Sequence, residues 1–212
     1  MSCGEALRSQ ENIICIKCEL SLPKTGFHMH EDNPVSRVFW GRLDITAATS
    51  FLFFSKQGRV QSMMHNLKYK GQEELGKRLG FIFGEDLKQG SMFNGIHYVI
   101  PVPLHPKKLR KRGFNQSAAI AEGIAKSLDT EVFKGLERKV HSSTQTKKSR
   151  YERWQNVKDI FELSNPGQLK NKKVLLVDDV LTTGATLEAC ASNLTEVDGI
   201  SICIATLAYA NK

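Results

Sequence analysis

Between Val174 and Leu187 the chain reads VLLVDDVLTTGATL. Two neighbouring acids, Asp178 and Asp179, follow a four-residue apolar run. A short stretch, Thr182-Thr183-Gly184-Ala185-Thr186, comes next and leads into a helical pattern. Backbone N–H groups in such a turn, ahead of a helix N-terminus, converge on one centre and carry partial positive charge, which suits an anion. Gly184 removes a Cβ where backbone must approach a ligand, and Thr182, Thr183 and Thr186 add hydroxyl donors. The twin carboxylates accept hydrogen bonds only. They therefore suit sugar hydroxyls or a hydrated Mg²⁺ rather than the anion itself. Phosphate at one end and polyol at the other describe a sugar phosphate, with Asp178 and Asp179 as the candidate catalytic acids.

These residues need a scaffold that brings a strand end and a helix start together. Val174 to Val177, bounded by Lys172 and Lys173, fits a strand buried on both faces of a parallel sheet. Residues 45–54 and the run from His97 to Val102 also read as strands, as does Ser201 to Leu207. Helix stripes fall at Val60, Met63, Met64 and Leu67, and at Leu75, Leu79, Ile82 and Phe83. Two more fall at Ala121, Ile124, Ala125 and Leu128, and at Leu187, Cys190, Ala191 and Leu194. Alternating strands and helices predict an α/β fold with a parallel sheet, whose ligands bind beyond the carboxyl ends of the strands. Residues 139–158 are polar and basic without clean periodicity and read as a long loop, of the kind that is either functional or disordered.

The 212 residues carry a formal net charge of +8 and are 41% hydrophobic. That composition is globular, and it excludes disordered, collagen-like and low-complexity chains. No run of 18 apolar residues occurs, so no transmembrane helix is expected. The first residues lack the basic, apolar and small-residue order of a secretory signal, so the expected location is the cytoplasm. The charge is concentrated. Between Pro103 and Lys158 there are fourteen Lys and Arg residues against five acids. A field confined in this way points to a polyanionic partner, either the phosphates of a small ligand or nucleic acid.

Residues 1–42 form a candidate N-terminal module ahead of a main domain at 43–212. The module holds Cys3, Cys15 and Cys18, turn-forming pieces such as Leu22-Pro23-Lys24-Thr25-Gly26, and too little apolar material for a core of its own. It therefore needs a metal or docking onto the main body. Cys15 and Cys18 have the spacing of a tetrahedral zinc ligand pair. Cys3 is a further candidate ligand, and His28 or His30 an alternative source of the fourth. The five cysteines are an odd number, which argues against a closed disulfide framework.

The Val174–Leu187 stretch resembles the phosphoribosyl pyrophosphate (PRPP) motif of type I phosphoribosyltransferases. A second set of residues is similar to the ComF (competence protein) family: Val102-Pro103-Leu104-His105, Arg112-Gly113-Phe114-Asn115-Gln116, Arg138, Thr144, Gln145, Arg153, Asn156 and Phe161. Leu67-Lys68-Tyr69-Lys70-Gly71, and Cys15-x-x-Cys18 followed by Leu22-Pro23, fit the same family. The resemblance implies a type I phosphoribosyltransferase-like sheet flanked by helices, with a small zinc-binding-like N-terminal module. It implies that Asp178 and Asp179 hold the ribose hydroxyls and that Thr182 to Thr186 wrap the 5-phosphate. Leu104 to Lys108 would take the pyrophosphate-loop position, Mg²⁺ would accompany PRPP, and Lys107, Arg112 or Arg153 would stabilise the departing pyrophosphate. ComF relatives usually carry two Cys-x-x-Cys pairs; here Cys3-Gly4 stands where the second member of the first pair would be. The resemblance also implies a link to DNA uptake, with single-stranded DNA and uptake proteins as partners. Two functions remain open: a phosphoribosyltransferase, or a single-stranded-DNA-binding accessory with a regulatory or vestigial PRPP pocket.

Overall fold

The computed structural model describes residue 7 and residues 13–55, 58–139 and 160–210. Its strands are β1 (Ala47–Phe54), β2 (Tyr98–Pro101), β3 (Glu131–Val132), β4 (Leu136–Arg138), β5 (Phe161–Leu163), β6 (Lys173–Leu181) and β7 (Ser201–Ala210). The α-helices are α1 (Ile16–Leu20), α2 (Pro34–Arg37), α3 (Arg59–Tyr69), α4 (Glu73–Leu87), α5 (Pro106–Arg112), α6 (Gln116–Leu128) and α7 (Ala185–Leu194). No helix among the described residues is long and apolar enough to cross a membrane.

Five strands build one sheet in the order β1-β7-β6-β2-β3, and every pairing in it is parallel. The sheet alternates strictly where it is deepest. Val99, Leu175, Val177, Cys203 and Ala205 point into one core with α3, α4 and α6. Ile100, Val174, Leu176, Ile202 and Ile204 point into the other with α7. Both faces are covered, which is why β6 reads as a continuous apolar run rather than an alternating one. The predicted strands and helix stripes all appear. Helix α5 was not anticipated, because PKKLRKR has no apolar face and no buried residue.

Helices α4 and α6 approach backbone to backbone. A Cβ at Gly80 would lie 2.2 Å from the Ile120 carbonyl oxygen, and one at Gly123 would lie 2.0 Å from that of Lys77. This close seam fixes α6 against the sheet and sets where its first residues emerge.

Chain direction matters at one place. From β2 the chain runs outward to β3 through α6, and from β6 it runs the other way to β7 through α7. The ends of β2 and β6 therefore form the crevice where strand order reverses, the usual ligand position in an open α/β sheet. The short antiparallel pair β4–β5 flanks residues 140–159. Those residues lie outside the described part of the chain, and with them nearly all of the loop expected at 139–158.

Residues 13–43 dock onto the main body. Val35 and Phe39 are fully buried in the same core as α7 and β6. The Asn33 side chain caps α2 and donates to the Ala48 carbonyl at 2.9 Å. A short strip lies along the free edge of β1: Thr25 N–H donates to the Phe51 carbonyl at 2.9 Å and Phe53 N–H to the Pro23 carbonyl at 2.9 Å, around an antiparallel bridge between Lys24 and Leu52.

Candidate functional site

Strand β6 runs past its partner. Its pairing with β2 ends at Pro101–Val177, while its pairing with β7 continues to Leu181. Asp178 and Asp179 lie on this overhang, where the Asp178 side chain lines the crevice while the strand backbone stays paired with β7. Asp178 accepts from the Ser117 hydroxyl at 2.9 Å and from the Asp179 amide at 2.8 Å. Asp179 pairs with Lys68 of α3, with Oδ2 and Nζ 2.8 Å apart. Burial pushes the Asp178 carboxyl up to about 7, and the neighbouring charge of Asp179 adds to it. The Asp179 amide, Ser117 and Lys68 pull the other way. Two adjacent carboxylates with unequal environments thus share one site.

After Leu181 the chain turns through Thr182, Thr183 and Gly184 into α7. The first helical bond runs from Glu188 N–H to the Gly184 carbonyl, at 2.9 Å. The amides of Ala185, Thr186 and Leu187 therefore precede the helical ladder, as at any helix start. The Ala185 amide meets Thr183 Oγ1 at 3.4 Å. Asp178, Val180, Leu181 and residues 182–187 line one small concavity, so the acid and the turn face a common space. Thr182, Thr183, Ala185 and Thr186 are exposed around it and Gly184 is buried.

Gly184 has a second reason to be glycine. Its φ is +77°, and a Cβ would come 2.9 Å from Val38 Cγ1 and 3.0 Å from Phe39 Cε1. The N-terminal segment thus forms the floor beneath the turn. Arg42, just beyond, bonds Glu188 of α7.

The stretch from Arg112 to Ser117 assembles the opposite wall, one job per residue. Gly113, at φ +84°, ends α5 in the left-handed region and reverses the chain. Phe114 packs on the core. Asn115 caps α6 by accepting from the Ser117 amide at 3.1 Å, and its Nδ2 donates to the Val102 carbonyl at 3.0 Å. This ties the start of α6 to the end of β2. Arg112 donates to Gln116 Oε1 at 2.7 Å, and its guanidinium lies 5.8 Å from the Tyr69 ring centre. Ser117 then reaches Asp178. Sequence reasoning passed over Ser117 and Lys68; both sit inside motifs it had quoted or beside them, and only the fold shows what they touch.

Lys107 stands in the first turn of α5, exposed, with its amide bonded to His105 Nδ1 at 3.1 Å. Residues 104–108 therefore run from loop into helix. Lys107, Lys108, Arg110, Lys111 and Arg112 crowd this seven-residue helix, and no ion pair joins any of them to an acid among the described residues.

Cys15 and Cys18, at the start of α1, are both buried in the core with α3 and α4. Cys3 lies outside the described residues. Among those described, no group of three His, Cys, Asp or Glu side chains is placed to hold a metal ion. His28 is buried with its Nε2 unbonded; burial lowers its pKa, against the nearby charge of Asp86. Cys190 and Cys203 are fully buried small core residues, as their apolar settings predict, and burial pushes the Cys190 thiol far up.

The phosphoribosyl transferase domain family matches residues 115–212. Competence protein F of Haemophilus influenzae is 33% identical over 112 residues, which are 52% of this chain and 49% of that protein. DNA utilization protein YhgH of Shigella flexneri is 28% identical over 204 residues, 91% of this chain and 82% of that one. Competence protein ComFC of Streptococcus pneumoniae is 25% identical over 202 residues, 90% and 84% respectively. The match spans about half the length of the Haemophilus protein. With the domain match at its carboxyl half and ComF-type relatives along most of its length, the chain is similar to ComF-family, phosphoribosyltransferase-like proteins.

Proposed function

We propose that the chain binds PRPP with Mg²⁺ in the crevice beyond β2 and β6, and transfers its phosphoribosyl group. One observation carries this reading: Asp178 and the Thr182–Thr186 turn line a single concavity where strand order reverses. Asp178 and Asp179 would accept from the ribose hydroxyls. Thr182, Thr183, Gly184, Ala185 and Thr186 would wrap the 5-phosphate with amides and hydroxyls. In the reaction the acceptor forms a bond to C1 of the ribose and the bond from C1 to the diphosphate oxygen breaks. The departing charge would fall beside Lys107 and Arg112.

Magnesium fits this site as a passenger of the diphosphate. Lys68 already holds one oxygen of Asp179 and Ser117 one of Asp178, which leaves too few carboxylate oxygens for a cage of protein ligands. For zinc, Cys15 and Cys18 would supply two donors and Cys3 a third, in a structural module over residues 1–42. Elemental analysis of the purified protein is expected to find zinc; a folded protein free of it overturns the module.

The names of the relatives support a role in competence or DNA use; the same proposal places the chain in the cytoplasm, with uptake proteins as partners. The exposed cations of α5 favour a second reading, in which the chain binds single-stranded DNA and the PRPP pocket regulates it. Replacing both acids (Asp178→Asn with Asp179→Asn) is expected to weaken PRPP binding in a calorimetric titration at least tenfold, about 1.4 kcal/mol. Unchanged affinity refutes the ribose assignment. Acceptor-dependent pyrophosphate release supports the transferase. Salt-sensitive DNA binding that survives the double replacement supports the second reading.

A further inference from the structure

The proposed site has a sugar end, a phosphate end and a leaving-group side, and none of these reads an acceptor. On its rim lies an aromatic side chain that packing does not account for. Tyr69 closes α3 and remains 58% exposed. Three contacts place it. Its chain neighbour Lys68 is bonded to Asp179 at 2.8 Å. The Arg112 guanidinium lies 5.8 Å from its ring centre, and Arg112 is held at 2.7 Å by Gln116, the residue before the Ser117 that bonds Asp178. His65, one helical turn back on α3, lies 4.9 Å from the same ring. Two planar groups, Arg112 of α5 and His65 of α3, therefore stand with the Tyr69 phenol of α3, linked to Asp179 through Lys68 and to Asp178 through Gln116 and Ser117.

We propose that Tyr69 and Arg112 form a stacking platform for a flat heteroaromatic ring at the mouth of the twin-acid site. The chemistry is that of any nucleobase-like ring. It has a π-face for the phenol, and the guanidinium plane adds a cation to the stack. A buried hydrophobic tyrosine would be core; an exposed one fixed by an arginine that is itself clamped is preorganised at little entropic cost. The bare cations of α5 sit beside the platform, at Lys107, Lys108, Arg110 and Lys111. They would hold phosphates if the ring arrives on a strand, and they are idle if it arrives alone. The ring is the same in both cases, and the measurement separates the sources. The inference borrows its location from the sugar-site reading, but the stack itself does not depend on it.

The probe is 2-aminopurine, whose fluorescence is quenched on stacking. It is titrated with full-length protein either as the free base or as the terminal residue of a short oligothymidylate. Quenching is expected in at least one arm, and the arm names the source. Tyr69→Leu, which keeps bulk and loses the π-face, is expected to weaken binding at least about fivefold, and Tyr69→Phe to retain it. Arg112→Lys, which keeps the charge and loses the plane, is expected to fall in between. Affinity for PRPP, titrated separately, stays unchanged in Tyr69→Leu. Binding of both probes with equal strength to wild type and Tyr69→Leu, or of neither probe to wild type, overturns the platform. Loss of PRPP binding in the wild type would instead fell the sugar-site reading and leave the stacking result standing.

Discussion

Asp178 is the most consequential single residue because its two roles conflict. To accept from a hydroxyl it should be charged; where it sits, burial and Asp179 favour the neutral form and carry its pKa from 3.8 to about 7. The consequence for stability has a definite sign. A carboxyl whose folded pKa exceeds its unfolded one contributes fully below about pH 4, and that contribution drains away as pH rises through about 7. Asp178→Asn is neutral at every pH. Relative to wild type it is expected to gain at least about 1 kcal/mol in urea unfolding between about pH 5 and pH 8. A constant offset across that range would show that Asp178 titrates normally. Lys68 and Ser117, which moderate the strain, could not be read from the sequence. Ser117 lies 61 residues from Asp178 along the chain, and Lys68 is farther still. Nothing local in either segment announces its partner.

Among the elements, the turn between β6 and α7 was the most legible and its support the least. The apolar run, the acids and the Thr/Gly stretch are contiguous, so local chemistry sufficed to identify them. The floor under Gly184 comes from Val38 and Phe39, far away in sequence, and no periodicity links the two. Gly184→Ala must therefore overcome both a left-handed φ and a methyl collision. It is expected to cost about 1–3 kcal/mol in thermal or urea unfolding and to abolish any phosphate binding by the turn. A silent substitution would show that the floor yields. Helices with an apolar stripe were legible because packing wrote a period of 3.6 into them. Helix α5 was not, since it is solvated all round and is marked only by Pro106 at its start and Gly113 at its end. The β4–β5 pair is short, and its strands are separated by the basic segment, so neither alternates long enough to be noticed.

Taken whole, the molecule does not divide where the domain match begins. Residues 115–212 hold α6, β3, β6, α7 and β7 but lack β1, β2, α3 and α4. Such a piece would expose the α6 face that α4 covers and would lose the partner of β6 at the crevice. A fragment of residues 115–212 is expected to show no cooperative unfolding by circular dichroism, whereas the full chain does; a cooperative fragment would mean the carboxyl half is autonomous. The strip from Pro23 to Thr25 along β1 has a quieter effect. It occupies the hydrogen-bonding groups that a lone outer strand would offer, and at the far side β3 is only two residues long. Among the described residues, neither border of the five-stranded sheet leaves a long open ladder on which a sister molecule could zip. Strand-by-strand addition of copies at those two borders is thereby disfavoured.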